Sequence, residues 1–140
     1  MAYTKTNWVN DSIPAINASN LNKIEQGIYD NAFESGSNSN GDYIKFNDGT
    51  MICYKTVAGV ADMSTPWGSL YEGTLALGDW PETFISMPKV NVTNISGTGA
   101  IIECFSPRPT TTSAGTVFLT RTTSGPGSVE LNVFAIGRWK

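Results

Sequence analysis

The stretch "YIKFNDGTMICYK", residues 43–55, is the clearest structural signal in the chain. Two runs of alternating apolar and polar residues flank an Asp-Gly dipeptide at 48–49, which is the preferred loop of a two-residue type I′ β-hairpin. Such a turn fixes the strand register and gives the hairpin one shared apolar face, made of Ile44, Phe46, Met51 and Cys53. We expect this face to lie in a hydrophobic core, with Cys53 as a small buried residue.

The sequence after this hairpin indicates several more short strands, which are separated by turns rich in Gly, Pro and Ser. These strands are expected at about 70–77, 89–95, 100–106, 116–122 and 128–136. Six or seven short strands without intervening helices indicate a mainly β fold, an antiparallel β-sandwich of about 100 residues.

The segment "NASNLNKIEQGIYDN", residues 17–31, has the periodicity of a short helix. Asn17 suits an N-cap and Gly36 suits a stop, which predicts a helix from about Ala18 to Glu34. Its apolar stripe has the spacing of a coiled-coil seam that consists of Leu21, Ile24, Ile28 and the polar Asn31. Periodicity alone leaves two alternatives open, because the stripe could pack on the β-domain of its own chain or on copies of itself.

The small polar stretch "SGSNSNG", residues 35–41, predicts a linker because it contains nothing to bury. The expected organisation is therefore a lead-in and helix at 1–34, a linker at 35–41 and a β-sandwich domain at 42–140. No segment has the apolar length of a signal peptide or a membrane span, so we expect synthesis in a cytoplasm and no membrane insertion.

The composition excludes several classes of function. A net charge of −3 with nine scattered Lys and Arg residues argues against nucleic-acid binding. The absence of histidine removes the usual general base and the commonest metal ligand, and two cysteines are too few for a zinc site. We expect no metal, no cofactor and no enzymatic activity. A disulfide between Cys53 and Cys104 is possible in a sandwich, but a cytosolic chain normally keeps its thiols reduced.

Carboxylates are the remaining route to an enzyme, since glycoside hydrolysis needs two carboxyl groups at a set separation. The spacing singles out no pair among Glu72, Asp79, Glu82 and Glu103.

Several stretches together resemble a known family. The segment "NWVNDSIPAINASNLNKIEQGI" resembles one that is common in tail and baseplate proteins of bacteriophages. The matching residues are Trp8, Pro14, Asn17, Ala18, Leu21, Asn22, Ile24, Glu25, Gly27 and Ile28. The stretch "GDYIKFNDGTMICYKTV" resembles the opening hairpin of the C-terminal domains of phage tail fibres. Two later stretches of that family are matched by Pro81, Phe84, Pro88 and Val90, and by Ala135, Ile136, Gly137, Arg138 and Trp139.

This resemblance implies an H-type-lectin-like sandwich that assembles as a homotrimer through a short three-stranded bundle of N-terminal helices. It favours self-association of the helix, with a trimer interface made of Leu21, Ile24, Ile28 and Asn31 around a three-fold axis. It also implies a virion protein, in a tail fibre, baseplate or head fibre, which is synthesised in the host bacterial cytoplasm and contacts other virion proteins. Its expected ligand is a polysaccharide of the host surface.

Three side chains are candidates for binding such a glycan. Trp67 and Tyr71 could stack on a pyranose ring, although either could instead cap the core beneath a loop. Arg108 lies between two prolines and suits an acidic sugar or phosphate group, although it could also be an ordinary solvated arginine. Trp80 and Trp139 are expected to have structural roles.

The leading hypothesis is a non-enzymatic, receptor-binding virion protein. The alternative is a purely structural fibre or head-decoration protein whose sandwich serves as a trimerisation knob. A polysaccharide depolymerase is the third hypothesis. Convergence of Trp67, Tyr71 and Arg108 on one exposed patch would favour the first of these over the second.

Overall fold

The computed structural model describes residues 17–97, 101–105 and 108–140, with residues 101–105 described by their backbone alone. These residues form one helix and nine strands in two antiparallel sheets, which confirms the mainly β class with a short N-terminal helix. The elements are α1 (Ala18–Asn31), β1 (Phe33–Asn38), β2 (Gly41–Phe46), β3 (Thr50–Met63), β4 (Thr65–Trp67), β5 (Leu70–Ala76), β6 (Lys89–Gly97), β7 (Ile101–Phe105), β8 (Thr116–Arg121) and β9 (Gly125–Arg138). Each strand predicted after the hairpin corresponds to one of β5 to β9.

Helix α1 begins as predicted and ends earlier than predicted. The side chain of Asn17 accepts a hydrogen bond from the backbone N–H of Asn20 at 2.9 Å, as an N-cap does. The helix ends at Asn31 instead of Glu34, because Ala32 already has an extended backbone with φ −69° and ψ 151°. None of the 14 residues of α1 is buried.

Residues 35–41, predicted as a linker, are instead part of a strand and a tight turn. Strand β1 pairs with β2 along its whole length, from Phe33 opposite Phe46 to Asn38 opposite Gly41. The Asn38 side chain accepts a hydrogen bond from the N–H of Asn40 at 2.9 Å and so stabilises the turn. The sequence did not indicate β1 because this strand lies at a sheet edge and has no alternating apolar residues.

The predicted register of the first hairpin is wrong by one residue. Tyr43 lies opposite Cys53 and Lys45 lies opposite Met51, so three residues, 47–49, form the loop. Gly49 donates a backbone hydrogen bond to Phe46 at 2.9 Å and has a φ of 91°, which is typical of a three-residue hairpin with glycine in the left-handed region.

This shift changes which face of β2 is directed to the core, and it leaves the core face of β3 as predicted. Met51 and Cys53 are fully buried, as expected. Ile44 and Phe46, which were predicted to share their face, lie on the opposite face, because a one-residue slip inverts every side chain of a strand.

The two sheets have the strand orders β1-β2-β3-β9-β6 and β4-β5-β8-β7. Strands β3 and β9 pair without interruption from Thr50 opposite Arg138 to Met63 opposite Gly125. One hydrophobic core takes residues from both sheets and from the segments between strands. Its members are Met51, Cys53, Ala61, Met63, Leu77, Trp80, Phe84, Ala114, Val117, Leu119, Val129, Leu131, Val133 and Ala135.

The segment 77–88, which connects β5 to β6, contributes two aromatic rings to this core. Trp80 and Phe84 pack edge to face, with 5.8 Å between their ring centroids. The Trp80 indole N–H donates to the carbonyl of Thr110 at 3.2 Å. Trp139 is half-buried against the core and donates to the carbonyl of Phe46 at 2.9 Å. The predicted structural roles of both tryptophans are therefore confirmed.

Candidate functional site

Trp67 lies at the end of the short strand β4, directly before the turn to β5. Its side chain is 50% exposed, and its backbone lies opposite Leu70. Because residues paired across antiparallel strands share a face, Trp67 and Leu70 lie on the same side of the four-stranded sheet. This is the outer face, since Val117 and Leu119 of the same sheet point into the core from the other side.

Tyr71 lies on the opposite, core-facing side of this sheet. It pairs with Arg121 of β8. Arg121 lies on the same face of β8 as the core residues Val117 and Leu119. Arg121 is buried, and its guanidinium donates to the carbonyls of Thr123 and Gly125, both at 2.6 Å. Tyr71 is half-buried beside this arginine.

Arg108 extends over the outer face of the four-stranded sheet. Its guanidinium carbon lies 6.0 Å from the ring centroid of Phe118, which is within the range of a cation–π contact. Phe118 pairs with Thr74 of β5 and shares the outer face with it. Leu70, the partner of Trp67, lies four residues from Thr74 along β5. Trp67 is therefore separated from Phe118 by about 13 Å in the strand direction, at 3.3 Å per residue.

The loop that follows Arg108 is held by internal hydrogen bonds. Thr110 accepts a hydrogen bond on its hydroxyl from the N–H of Ser113 at 2.9 Å, and the Ser113 hydroxyl donates to the carbonyl of Gly78 at 3.2 Å. The backbone of the loop also accepts from the N–H groups of Trp80 and Phe84, both at 2.9 Å. The hydroxyls of Thr110 and Ser113 thus serve the turn itself.

The three predicted glycan-binding residues do not meet on one patch. Trp67 and Arg108 share a face at separate positions, and Tyr71 lies on the other face. Trp8 lies outside the described residues, as do the side chains of Glu103 and Cys104. Cys53 is a buried free thiol, and burial raises its pKa to about 11.

A polar groove that the sequence did not indicate lies where β3 extends beyond its pairing with β2. Its volume is about 470 Å³, and it is lined by residues 37–42, 55–58 and 77–79. Lys55 donates to the carbonyl of Asp79 at 2.6 Å, and its ammonium lies 5.4 Å from the ring centroid of Trp80. Partial burial lowers the pKa of Lys55, and the charge of Asp79 opposes this shift.

The chemistry of this groove suits a hydroxyl-rich ligand better than an anion. Its lining combines the ammonium donor of Lys55 with the carboxylate acceptors of Asp42 and Asp79 and with amide and hydroxyl groups of residues 37–40. The groove is made by three segments that are distant in sequence, so no local motif could reveal it.

The predicted trimer-interface residues form a stripe on α1 that is exposed at every position except Ile24. Leu21 and Ile28 are 48% and 67% exposed, and Ile24 is half-buried. Asn31 is exposed, and its amide donates to the carbonyl of Gly27 at 2.7 Å.

Among the candidate carboxylates, Glu82 is held by Lys45 in an ion pair of 2.9 Å. No group of three or more His, Cys, Asp or Glu side chains that could hold a metal occurs in the described part of the chain. Helix α1, the single helix of the described ranges, is too short and too polar to cross a membrane.

No protein-family model and no curated protein matches this chain. Solved structures similar to it include three structures of pyocin fibres. A C-terminal part of the P. aeruginosa R1 pyocin fibre is 17% identical with a TM-score of 0.49, over 91% of this chain and 33% of that one. An N-truncated R1-type pyocin tail fibre is 17% identical with a TM-score of 0.45, and the match covers 89% of this chain and 99% of that one.

A C-terminal part of the P. aeruginosa R2 pyocin fibre is 14% identical with a TM-score of 0.49, over 91% of this chain and 31% of that one. This chain thus spans about a third of the length of the two P. aeruginosa fibre fragments.

Proposed function

We propose that this chain is a bacteriophage virion protein, of a tail fibre, baseplate or head fibre, which assembles as a homotrimer. In this proposal the N-terminal helices form a short bundle, and a lectin-like β-sandwich recognises a glycan of the host surface. The phage-like motifs in the sequence support this assignment. The structural observation that carries it is the exposure of the apolar stripe of α1.

Helix α1 needs a partner to be stable. A 14-residue helix is marginal in water by itself, and Gly27 within it costs about 1 kcal/mol relative to alanine. Packing on its own β-domain, the alternative left open by periodicity, would bury Leu21 or Ile28, yet both are exposed in the single chain. Three parallel copies would bury the stripe around a common axis.

Glycan recognition is supported by the exposed indole of Trp67 and by the guanidinium of Arg108 above the outer face of the four-stranded sheet. An indole face can stack on a pyranose ring, and a guanidinium can bind an acidic group. Tyr71 would not contribute to this surface, since it lies on the core-facing side of the sheet. The groove beside Lys55 offers a second surface for sugar hydroxyls.

The test is the binding of the purified protein to susceptible host cells and to their isolated surface polysaccharide. Trp67→Ala and Arg108→Ala should each weaken binding by about tenfold, as expected for the loss of a main contact. Met87→Ala is a matched control, because this side chain is 68% exposed and belongs to no candidate surface. Absence of binding to any susceptible strain would overturn the receptor-binding function.

A purely structural fibre or decoration protein is the second candidate. The observation that favours it is the placement of Trp67, Tyr71 and Arg108 at separate positions, since a single exposed patch was the expectation for a receptor-binding tip. We propose no enzymatic role. Incubation of the polysaccharide with the protein should therefore release no new reducing ends.

A further inference from the structure

We propose that the outer face of the five-stranded sheet is the surface through which each β-domain contacts a second copy of this chain. The inference rests on the proposed homotrimer and identifies the part of the β-domain that takes part in it. The surface, here called the outer β3/β9 face, is centred on Ile52, Tyr54, Phe134 and Ile136.

These four side chains form a contiguous apolar patch. Ile52 lies opposite Ile136 and Tyr54 lies opposite Phe134 on the central strands of the sheet. Tyr54, Phe134 and Ile136 are each at least 40% exposed in the single chain. Ile44, opposite Ile52, extends the patch onto β2. An exposed apolar patch of this kind in a folded chain is typical of a protein–protein contact surface.

The patch is continuous with the end of the helix. Phe33, two residues after α1, is 64% exposed and lies opposite Phe46, with 6.4 Å between the two ring centroids. Phe46 and Ile44 share the outer face of β2 because they are two residues apart on one strand. The Asn47 amide also donates to the carbonyl of Tyr29 in the last turn of α1. The apolar surface therefore extends from the centre of the sheet to Phe33, next to the C-terminal end of α1.

The charges on the two sides of the apolar patch point to a copy of the same chain as the partner. Asp42, opposite Tyr54, flanks the patch on β2, one strand inside the edge strand β1, and Lys89, opposite Ile136, flanks it on the edge strand β6. Neither residue forms an ion pair within the described part of the chain. In a ring of identical subunits, one side of the patch meets the other side of the neighbour's patch, so opposite charges on the two sides are complementary.

The first experiment compares Phe134→Glu with Thr74→Glu by sedimentation over a range of protein concentrations. Thr74 is a matched control because it is exposed on the outer face of the other sheet. Phe134→Glu should raise the concentration needed for trimer formation by about 100-fold, since it places a charge in an apolar contact. Thr74→Glu should behave as the parent protein does.

A parent protein that is monomeric would overturn the proposed trimer and this surface with it. A parent trimer that Phe134→Glu leaves unchanged would overturn the surface alone, and the proposed function would stand. These two failures are therefore distinguishable.

The second experiment exchanges the two charges that flank the patch and does not depend on how well Phe134→Glu folds. Asp42→Lys and Lys89→Asp should each weaken the trimer, because each change places like charges at the contact between subunits. The double variant should regain most of the affinity of the parent. Additive losses in the double variant would contradict the pairing of Asp42 with Lys89 between subunits.

Discussion

Tyr54 and Phe134 lie directly opposite each other on adjacent antiparallel strands, and their side chains are 44% and 43% exposed. On the other face of the same two strands, the opposed pair Cys53 and Ala135 is completely buried. The five-stranded sheet thus has a core face and a second face that is also apolar at its centre. Sheet faces in contact with water are normally polar, so this arrangement agrees with a face that is covered in an assembly.

Substitution of Ile28 tests the role of the helix stripe. Ile28 is 67% exposed in the single chain, so Ile28→Asp should change the stability of a monomer by no more than about 0.5 kcal/mol. In a three-helix bundle the same change buries an unpaired charge, and it should strongly reduce both helix content and trimer stability. Circular dichroism and sedimentation measure these two quantities.

The control for this experiment is Ile24→Leu, which keeps the seam apolar and should be tolerated. The hairpin of β2 and β3 should remain folded in both variants, because α1 contributes no buried residue to the core. An Ile28→Asp protein with the helix content and the trimer stability of the parent would show that copies of α1 do not pack together.

Substitution of Gly115 tests the loop that presents Arg108. Gly115 has a φ of 81°, and a Cβ at this position would collide with the backbone carbonyl of Arg108. Gly115→Ala should therefore lower the free energy of unfolding by about 3 kcal/mol or more, as measured by urea denaturation.

Gly68→Ala separates the two causes of that loss. Gly68 has a φ of 62°, but a Cβ added there would meet no atom within 4 Å, so only the backbone penalty of about 1–2 kcal/mol applies. If Gly115→Ala and Gly68→Ala lowered the free energy of unfolding equally, the collision with the Arg108 carbonyl would contribute nothing to the loss.

The buried thiol of Cys53 predicts a loss of stability at alkaline pH. Burial raises its pKa from 9.0 to about 11, because the core disfavours the charged thiolate. The folded state then holds the proton more tightly than the unfolded state. This contribution is fully present below pH 9 and is lost as the pH rises through 11, by about 2–3 kcal/mol in total.

The measurement is urea unfolding at several pH values between 8 and 11, for the parent and for Cys53→Ala. Lysines and tyrosines titrate in the same range in both proteins, so the difference between the two curves isolates the thiol. Cys53→Ala should be less stable below pH 9 and should show a flatter decline above it. Parallel curves would contradict a desolvated thiol.

The class of fold could be predicted from the sequence because it depends on side-chain periodicity. The alternation in β3 correctly assigned Met51 and Cys53 to the core, and the helix began at the predicted Asn17 cap. Strand β1 was not predicted, because its pairing with β2 depends on backbone hydrogen bonds and its side chains show no alternating apolar pattern.

The hairpin register could not be read from the Asp-Gly dipeptide alone. The same dipeptide fits a loop of two or three residues, and the longer one places Lys45 opposite Met51. Lys45 is accommodated there by ion pairs with Glu82 and Glu34 at 2.9 and 3.6 Å, and both partners are distant from the hairpin turn in sequence.

The candidate site was predictable only in part, for a related reason. Trp80 and Trp139 have the structural roles expected of them, and Trp67 remains a predicted binding residue that is half exposed. The positions of Trp67, Tyr71 and Arg108 relative to one another depend on strand pairing and on which face each residue occupies. The groove beside Lys55 requires three segments to meet, which no local pattern encodes.

The mass of the protein in solution tests the central claim most directly. Sedimentation equilibrium at micromolar concentration should give three times the chain mass of 15.0 kDa. A mass of 15.0 kDa at that concentration would contradict the homotrimer, because the stripe of Leu21, Ile24 and Ile28 would then remain uncovered on a single chain.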